Sequence, residues 1–212
     1  MIAPIDRGIY LASRSPRRRE LLTQIGVRYH LLLFRERPDS GAEVDEAILE
    51  GESASAYVER LARAKADAGW RRMLQRNLPP APVLAADTTV VLEDRIFVKP
   101  VDRREAADML AALSGKTHEV LTAIALRHGD ELESVLSRSE VRFKELSAAE
   151  IRDYVATGEA DDKAGAYAIQ GRAAKFIVEL RGSYSGVMGL PLYDTAQLLE
   201  RMTAPRPPGR LP

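Results

Sequence analysis

VLAADTTVVL, residues 83–92, is the stretch on which the fold turns. It is an apolar, β-branched run and reads as a central strand, with IFV (96–98) as its hairpin partner. Upstream, IYLAS (9–13) and YHLLLF (29–34) read as short buried strands. The helix between them takes Ser15 as N-cap, has Pro16 in its first turn, and buries Leu21, Leu22 and Ile25. A longer helix is expected over about 53–74, with Val58, Leu61 and Ala68 near helical spacing. Downstream, 102–114 reads as a helix with Asp102 and Glu105 as cap and third-position acid, burying Ala106, Met109, Leu110 and Leu113. Strands are expected around 118–127 and 132–144. A capping box from Ser147 to Glu150 starts a helix ending near Gly158, and a strand at 174–180 and a helix at 191–202 follow. Helices and strands interleave, so the expected class is α/β with a mixed central sheet.

The length, 212 residues, suits one domain or two lobes, expected here as one domain over 1–202. No internal repeat is visible. TAPRPPGRLP (203–212) holds four prolines and reads as a disordered tail. The acidic stretch 36–53, with Glu36, Asp39, Glu43, Asp45, Glu46, Glu50 and Glu52, reads as a second flexible, solvated loop. Lys and Arg total 31, as do Asp and Glu, and that zero balance argues against a protein built to grip nucleic acid. The absence of cysteine excludes disulfides, thiolate zinc sites and cysteine nucleophiles. No signal peptide and no membrane-length apolar run is visible, so a cytoplasmic protein is expected.

Four segments carry chemistry. In LASRSPRRRELL (11–22) a strand runs into a helix whose first turn holds Arg17, Arg18 and Arg19, although the partial positive charge at a helix N-terminus favours acids. A bound phosphate would relieve that conflict, drawing on backbone N–H groups, the Ser13 and Ser15 hydroxyls and the guanidinium groups. The alternative is that the arginines splay into solvent. In AADTTVVL (85–92), Asp87 lies inside an apolar strand and must be paired, metal-bound or protonated. Six lysines stand against twenty-five arginines, so Lys65, Lys99, Lys116 and Lys163 are candidates for sites needing a compact ammonium. DKAGAYAIQG (162–171) and GSYSGVMGLPL (182–192) are glycine-rich, and Gln170 offers the adjacent donor and acceptor that read a nucleobase edge. SGKTH (114–118) only imitates a P-loop, because Leu110 stands where that motif needs glycine. The three histidines show no metal-ligand spacing.

Taken in order, LASRSPRRRELL, VDEAILEGESASAYVERLARAKA, AADTTVVLEDRIFVKP, LSGKTHEVLTAIAL and DKAGAYAIQGRAAKFIVELRGSYSGVMGLPL resemble the Maf family of nucleotide pyrophosphatases over residues 8–200. The resemblance implies an inosine-triphosphate-pyrophosphatase-like fold with its site in a cleft between two lobes. It implies hydrolysis of a nucleoside triphosphate to monophosphate and pyrophosphate with a divalent cation, Mg²⁺ or Mn²⁺. Asp87 then matches the family's proton acceptor, or instead holds the metal, and Glu46 matches a carboxylate that helps hold metal. Lys65, Lys99 and Lys163 match lysines around the phosphates, with Ser13 and Arg18 beside them. Arg17, Thr88 and Gln170 match positions that set the base, and the pattern resembles the dTTP/UTP branch. Arg14 and Ala168 depart from the residues frequent in relatives. The partner expected is a nucleotide, with neither nucleic-acid polymer nor membrane, and homodimers are common in such families. The competing reading from another class is a nucleotide-binding regulator of cell division with incidental hydrolysis.

Overall fold

The computed structural model describes residues 8–33 and 44–203. It opens with β1 (Ile9–Leu11), α1 (Pro16–Gln24), β2 (Tyr29–Leu31), α2 (Ala54–Gln75), β3 (Val83–Leu92) and β4 (Arg95–Phe97). Then come α3 (Arg103–Leu113), β5 (Thr117–His128), β6 (Glu131–Phe143), α4 (Ala148–Val155), β7 (Ile177–Arg181), α5 (Tyr184–Val187) and α6 (Leu192–Thr203). The strands form one sheet in the order β2-β1-β3-β5-β6-β7, with β4 also paired to β3. β1 runs parallel to β2 and β3, and the other pairs are antiparallel, giving the mixed sheet expected from sequence.

Side chains alternate across β3, and the alternation sorts the interior. Val83 and Ala85 enter a core with Val58, Ala62 and Ala66 of α2. Small residues let α2 approach: a Cβ on Gly69 would lie 2.7 Å from Val83 Cγ1. On the opposite face, Leu84 and Ala86 join Leu21 and Leu22 of α1 and Leu198 and Leu199 of α6. Further along that same face, Val90 and Leu92 join a separate core built on Leu110 of α3 and Tyr154 of α4. Thr88 falls at the seam between the two.

Local signals place most elements. Ser15 caps α1 with Pro16 in the first turn, Asp102 caps α3, and Ser147 and Glu150 form a reciprocal capping box on α4. Two expectations change. YHLLLF supplies only a three-residue strand, because β1, its neighbour, ends at Leu11 before the Ser13–Pro16 turn. The stretch expected as a strand at 174–180 begins as a 3₁₀ helix, Arg172–Phe176, and only then becomes β7. Ala173 and Phe176 are its buried residues, three apart, which is the 3₁₀ period and not strand alternation. Residues 36–43 of the acidic stretch and 204–212 of the proline-rich tail lie outside the described residues, while Thr203 closes α6. No described helix is long and apolar enough to cross a membrane.

Candidate active site

The sheet leaves one stretch of β3 open. β5 covers one edge of β3 from Val83 to Val91. On the other edge β1 pairs with Val83 and Leu84, and β4 with Val90 to Leu92. Residues 85–89 therefore have no strand neighbour on that side among the described residues. The end of β1 and the start of α1 open beside this gap, at the carboxyl end of a parallel strand, where α/β sheets bind ligands. Asp87 stands at its middle.

Asp87 is not a lone buried carboxylate. Its Oδ1 accepts from Lys65 Nζ of α2 at 2.7 Å, and the same ammonium lies 2.6 Å from Glu46 Oε1. Asp87 and Lys65 side chains are 14% and 18% exposed, against 52% for Glu46, so the cluster grades from the sheet outward to solvent. Burial pushes the Glu46 carboxyl up, but the Lys65 hydrogen bond and the charges of Lys65, Lys99 and Arg18 hold it below the usual carboxylate range.

The segment bearing Glu46 is fastened to α2. Tyr57 donates its hydroxyl to the Glu46 carbonyl at 3.1 Å. Arg60 donates to the carbonyls of Asp45 and Ala47 at 3.2 and 2.9 Å and grips Glu52 through both carboxylate oxygens at 2.6 and 2.8 Å. Residues 45–51 are exposed, as a solvated loop would be, but the carbonyls of Asp45, Glu46 and Ala47 are held by two α2 side chains one turn apart. Tyr57 and Arg60 were missed from sequence. Their one signal is an i, i+3 spacing facing the acidic stretch, which does not by itself name a target. Burial and the charges of Asp87 and Glu46 push the Tyr57 phenol up to about 12, so it stays a donor to that carbonyl.

Arg18 turns inward. Its Nε donates to Gly189 O at 2.8 Å, Nη1 to Ala86 O at 2.8 Å and Ser13 Oγ at 3.4 Å, and Nη2 to Thr88 Oγ1 at 3.3 Å. The Ala86 carbonyl belongs to the open stretch of β3, so Arg18 stands where a strand would have been. Four of its five N–H groups meet protein acceptors, leaving one for a ligand. Burial lowers its pKa, with Asp87 opposing, and the group remains a cation beside the carboxylate. Ser13 is buried, and its Oγ also accepts from Ser15 N at 3.2 Å.

The remaining predicted residues are spread around this centre. Arg17 is half-buried and feels the Tyr154 phenol of α4 across the seam. Lys99 is exposed, close enough to act on Glu46. Lys163 pairs with its neighbour Asp162. Gln170 is exposed at the end of a segment fixed by two phenols: Ala168 N donates to Tyr154 Oη at 3.1 Å, and Tyr167 Oη lies 2.9 Å from His118 Nε2. Gly165, at φ 67°, packs against Val90, where a Cβ would lie 2.8 Å from Cγ2. Lys116 faces Glu93 at 3.7 Å on the surface, away from this group.

The donor set is two carboxylates without imidazole or thiolate, and no cluster of three or more His, Cys, Asp or Glu that could hold an ion occurs among the described residues. Such a pair fits a hard divalent cation whose remaining ligands are phosphate oxygens and water, as Mg²⁺ favours, rather than an all-protein cage.

Comparison with known proteins identifies the family. The family model described as Maf-like protein matches residues 8–202. A protein of Aromatoleum aromaticum named dTTP/UTP pyrophosphatase is 61% identical over 95% of this chain and 98% of its own length. One of the same name from Nitrosomonas europaea is 56% identical over 94% of this chain and 97% of its own. Among solved structures, the Staphylococcus aureus Ham1 protein aligns at TM-score 0.44 and 16% identity, covering 64% of this chain and 71% of that one.

Proposed function

This chain belongs to the Maf-like protein family, and we propose that it is a cytoplasmic nucleoside triphosphate pyrophosphatase acting on dTTP and UTP. The observation that carries the reading is the convergence of Asp87 and Glu46 on Lys65 at the open edge of β3, beside the α1 N-terminus. That arrangement offers carboxylate, ammonium and backbone N–H groups to one polyanion. The reaction is in-line attack by water on the α-phosphorus, with pyrophosphate as leaving group.

Asp87 would take the attacking water's proton or orient that water, its Oδ1 being held by Lys65. Lys65, Lys99 and Lys163 would neutralise phosphate charge. Lys163 would first leave Asp162, an exchange of one carboxylate for a more highly charged anion. Arg18 contributes chiefly fixed positive charge, since most of its donors hold the protein. Glu46 and Asp87 would hold a divalent cation, Mg²⁺ or Mn²⁺, which when bound neutralises triphosphate charge. Gln170, exposed at the end of a fixed segment, would read the pyrimidine edge: its amide donates to a ring carbonyl and accepts from N3–H. Arg17 and Thr88 would be further base-selecting positions.

The test is phosphate release from a panel of nucleoside triphosphates with Mg²⁺ or Mn²⁺, with and without added inorganic pyrophosphatase. Phosphate that needs the helper enzyme, chiefly from dTTP and UTP, is the expected result. Phosphate without the helper would mean γ-cleavage. Tight binding with turnover well below about 1 s⁻¹ would favour a nucleotide-binding regulator.

A further inference from the structure

We propose that Thr122 of β5 is a positioning residue for this site, acting through a hydroxyl relay that fixes Arg18 and α5; the proposal rests on the pyrophosphatase reading above. Thr122 stands opposite Thr88 across the β3–β5 ladder and is 1% exposed. Its Oγ1 donates to Gly186 O at 2.8 Å and lies 2.9 Å from Thr88 Oγ1.

A hydroxyl carries one hydrogen, and a carbonyl can only accept. Thr122 therefore spends its hydrogen on Gly186 and must accept from Thr88. Thr88 spends its own on Thr122 and accepts from Arg18 Nη2 at 3.3 Å. The chain of donation runs from Arg18 to Thr88 to Thr122 to Gly186, with both hydroxyl rotors determined. Thr88 then has no hydrogen left for a nucleobase, so its effect on substrate choice passes through the groups it holds.

The relay closes on itself. α5, which receives Thr122's hydrogen bond at Gly186, leads into a turn that returns to Arg18, whose Nε donates to Gly189 O at 2.8 Å. Gly189 has φ 111°, and a Cβ there would lie 3.5 Å from both Arg18 Nε and Thr88 Oγ1. The guanidinium is thus set from the sheet on one side and from the turn on the other. Thr122 is the buried point joining the two. It does not reach solvent, so it positions and does not touch substrate.

The experiment compares wild type, Thr122→Val, Thr122→Ser, Thr88→Val and the double valine variant. Pyrophosphate release from dTTP is measured alongside amide hydrogen exchange over residues 183–190. Valine keeps the shape of threonine and removes the relay. Thr122→Val is expected to lose about ten-fold in kcat/KM, the scale of one buried hydrogen bond left unmade, with Thr122→Ser within about two-fold of wild type. The double variant should be no worse than the weaker single, since one relay can be broken only once. Exchange over 183–190 should accelerate in Thr122→Val and not in Thr122→Ser. A folded Thr122→Val with wild-type kcat/KM, effects that multiply in the double variant, or unchanged exchange would each overturn the relay. Wild type that releases no pyrophosphate overturns the pyrophosphatase reading instead, and the exchange arm still decides the relay.

Discussion

Replacing Lys65 by methionine tests the centre of the site, because it removes the ammonium and keeps most of the side chain's length. Asp87 Oδ1 and Glu46 Oε1 lie 2.7 and 2.6 Å from one nitrogen, so they are at most about 5.3 Å apart. At that separation two carboxylates repel by about 3 kcal/mol at an effective dielectric near 20. Glu46 is half in solvent, and screening reduces the term to about 1–2 kcal/mol. Loss of the partly buried Lys65–Asp87 pair adds about 1 kcal/mol or more. The sum, about 2–3 kcal/mol at pH 8, corresponds to a Tm lower by roughly 5–10 °C for a chain of this size.

The deficit depends on pH with a definite sign. In the wild type the Glu46 carboxyl is held below its ordinary value, so its contribution is present above that value and is lost as pH falls through the folded one. Methionine removes the cause. The difference in Tm between wild type and Lys65→Met should therefore be full at pH 7–8 and shrink below the usual glutamate range. Melting both proteins by circular dichroism in metal-free buffer at several pH values measures it. Equal melting temperatures at pH 8, or a deficit as large in acid as at pH 8, would refute the shared-ammonium account.

Asp87→Asn should lower kcat by about 10²-fold or more under saturating metal and dTTP, the usual cost of losing a general base; near-full turnover would remove Asp87 from the chemistry. Arg60→Met should release the 45–52 segment and raise the Mg²⁺ concentration for half-maximal activity by about ten-fold, as a metal titration of initial rates would read. Gly165→Ala should cost about 2–4 kcal/mol in urea unfolding, since φ is 67° and the new Cβ would meet Val90 at 2.8 Å. Burial lowers the His118 pKa to about 4, so the folded ring stays neutral while the unfolded one protonates near 6.5. Stability should accordingly fall by up to about 3 kcal/mol from this group between pH 6.5 and 4. A His118 imidazole resonance that titrates near 6.5 in the folded protein would contradict it.

The legible parts of the chain were those with local causes. β3, α3 and the start of α4 follow from an apolar β-branched run, a cap with its third-position acid, and Ser147 with Glu150, and each of these lies within a residue or so of its expected place, while α4 ends at Val155, short of the expected Gly158. The illegible parts depend on contacts distant in sequence. That Asp87 is paired could be required from burial, but its partner, 22 residues away on α2, could not be chosen from sequence spacing alone. The arginines of α1 show the same limit. Their conflict with the helix N-terminus was visible, whereas only the fold shows that Arg18 resolves it on the carbonyls of Ala86 and Gly189, 68 and 171 residues away. Glu52 was misread with its acidic neighbours because its partner Arg60 lies on the next helix, beyond the reach of a composition argument.

The position of the site follows from strand lengths. β3 has ten residues while β1 and β4 have three each, so two short neighbours placed at its ends leave its middle edge without a strand partner among the described residues. Open backbone groups in a sheet need partners, and this molecule supplies one as a side chain: Arg18 on Ala86 O. An arginine there brings a positive charge that a fourth strand segment would not have brought. The charge makes an adjacent carboxylate tolerable at position 87, and the carboxylate in turn draws Lys65 from α2. The gap in the ladder thus comes before the chemistry. Lengthening β1 by continuing the strand through Ser13 and Ser15 would pair the edge and displace Arg18 from the Ala86 carbonyl.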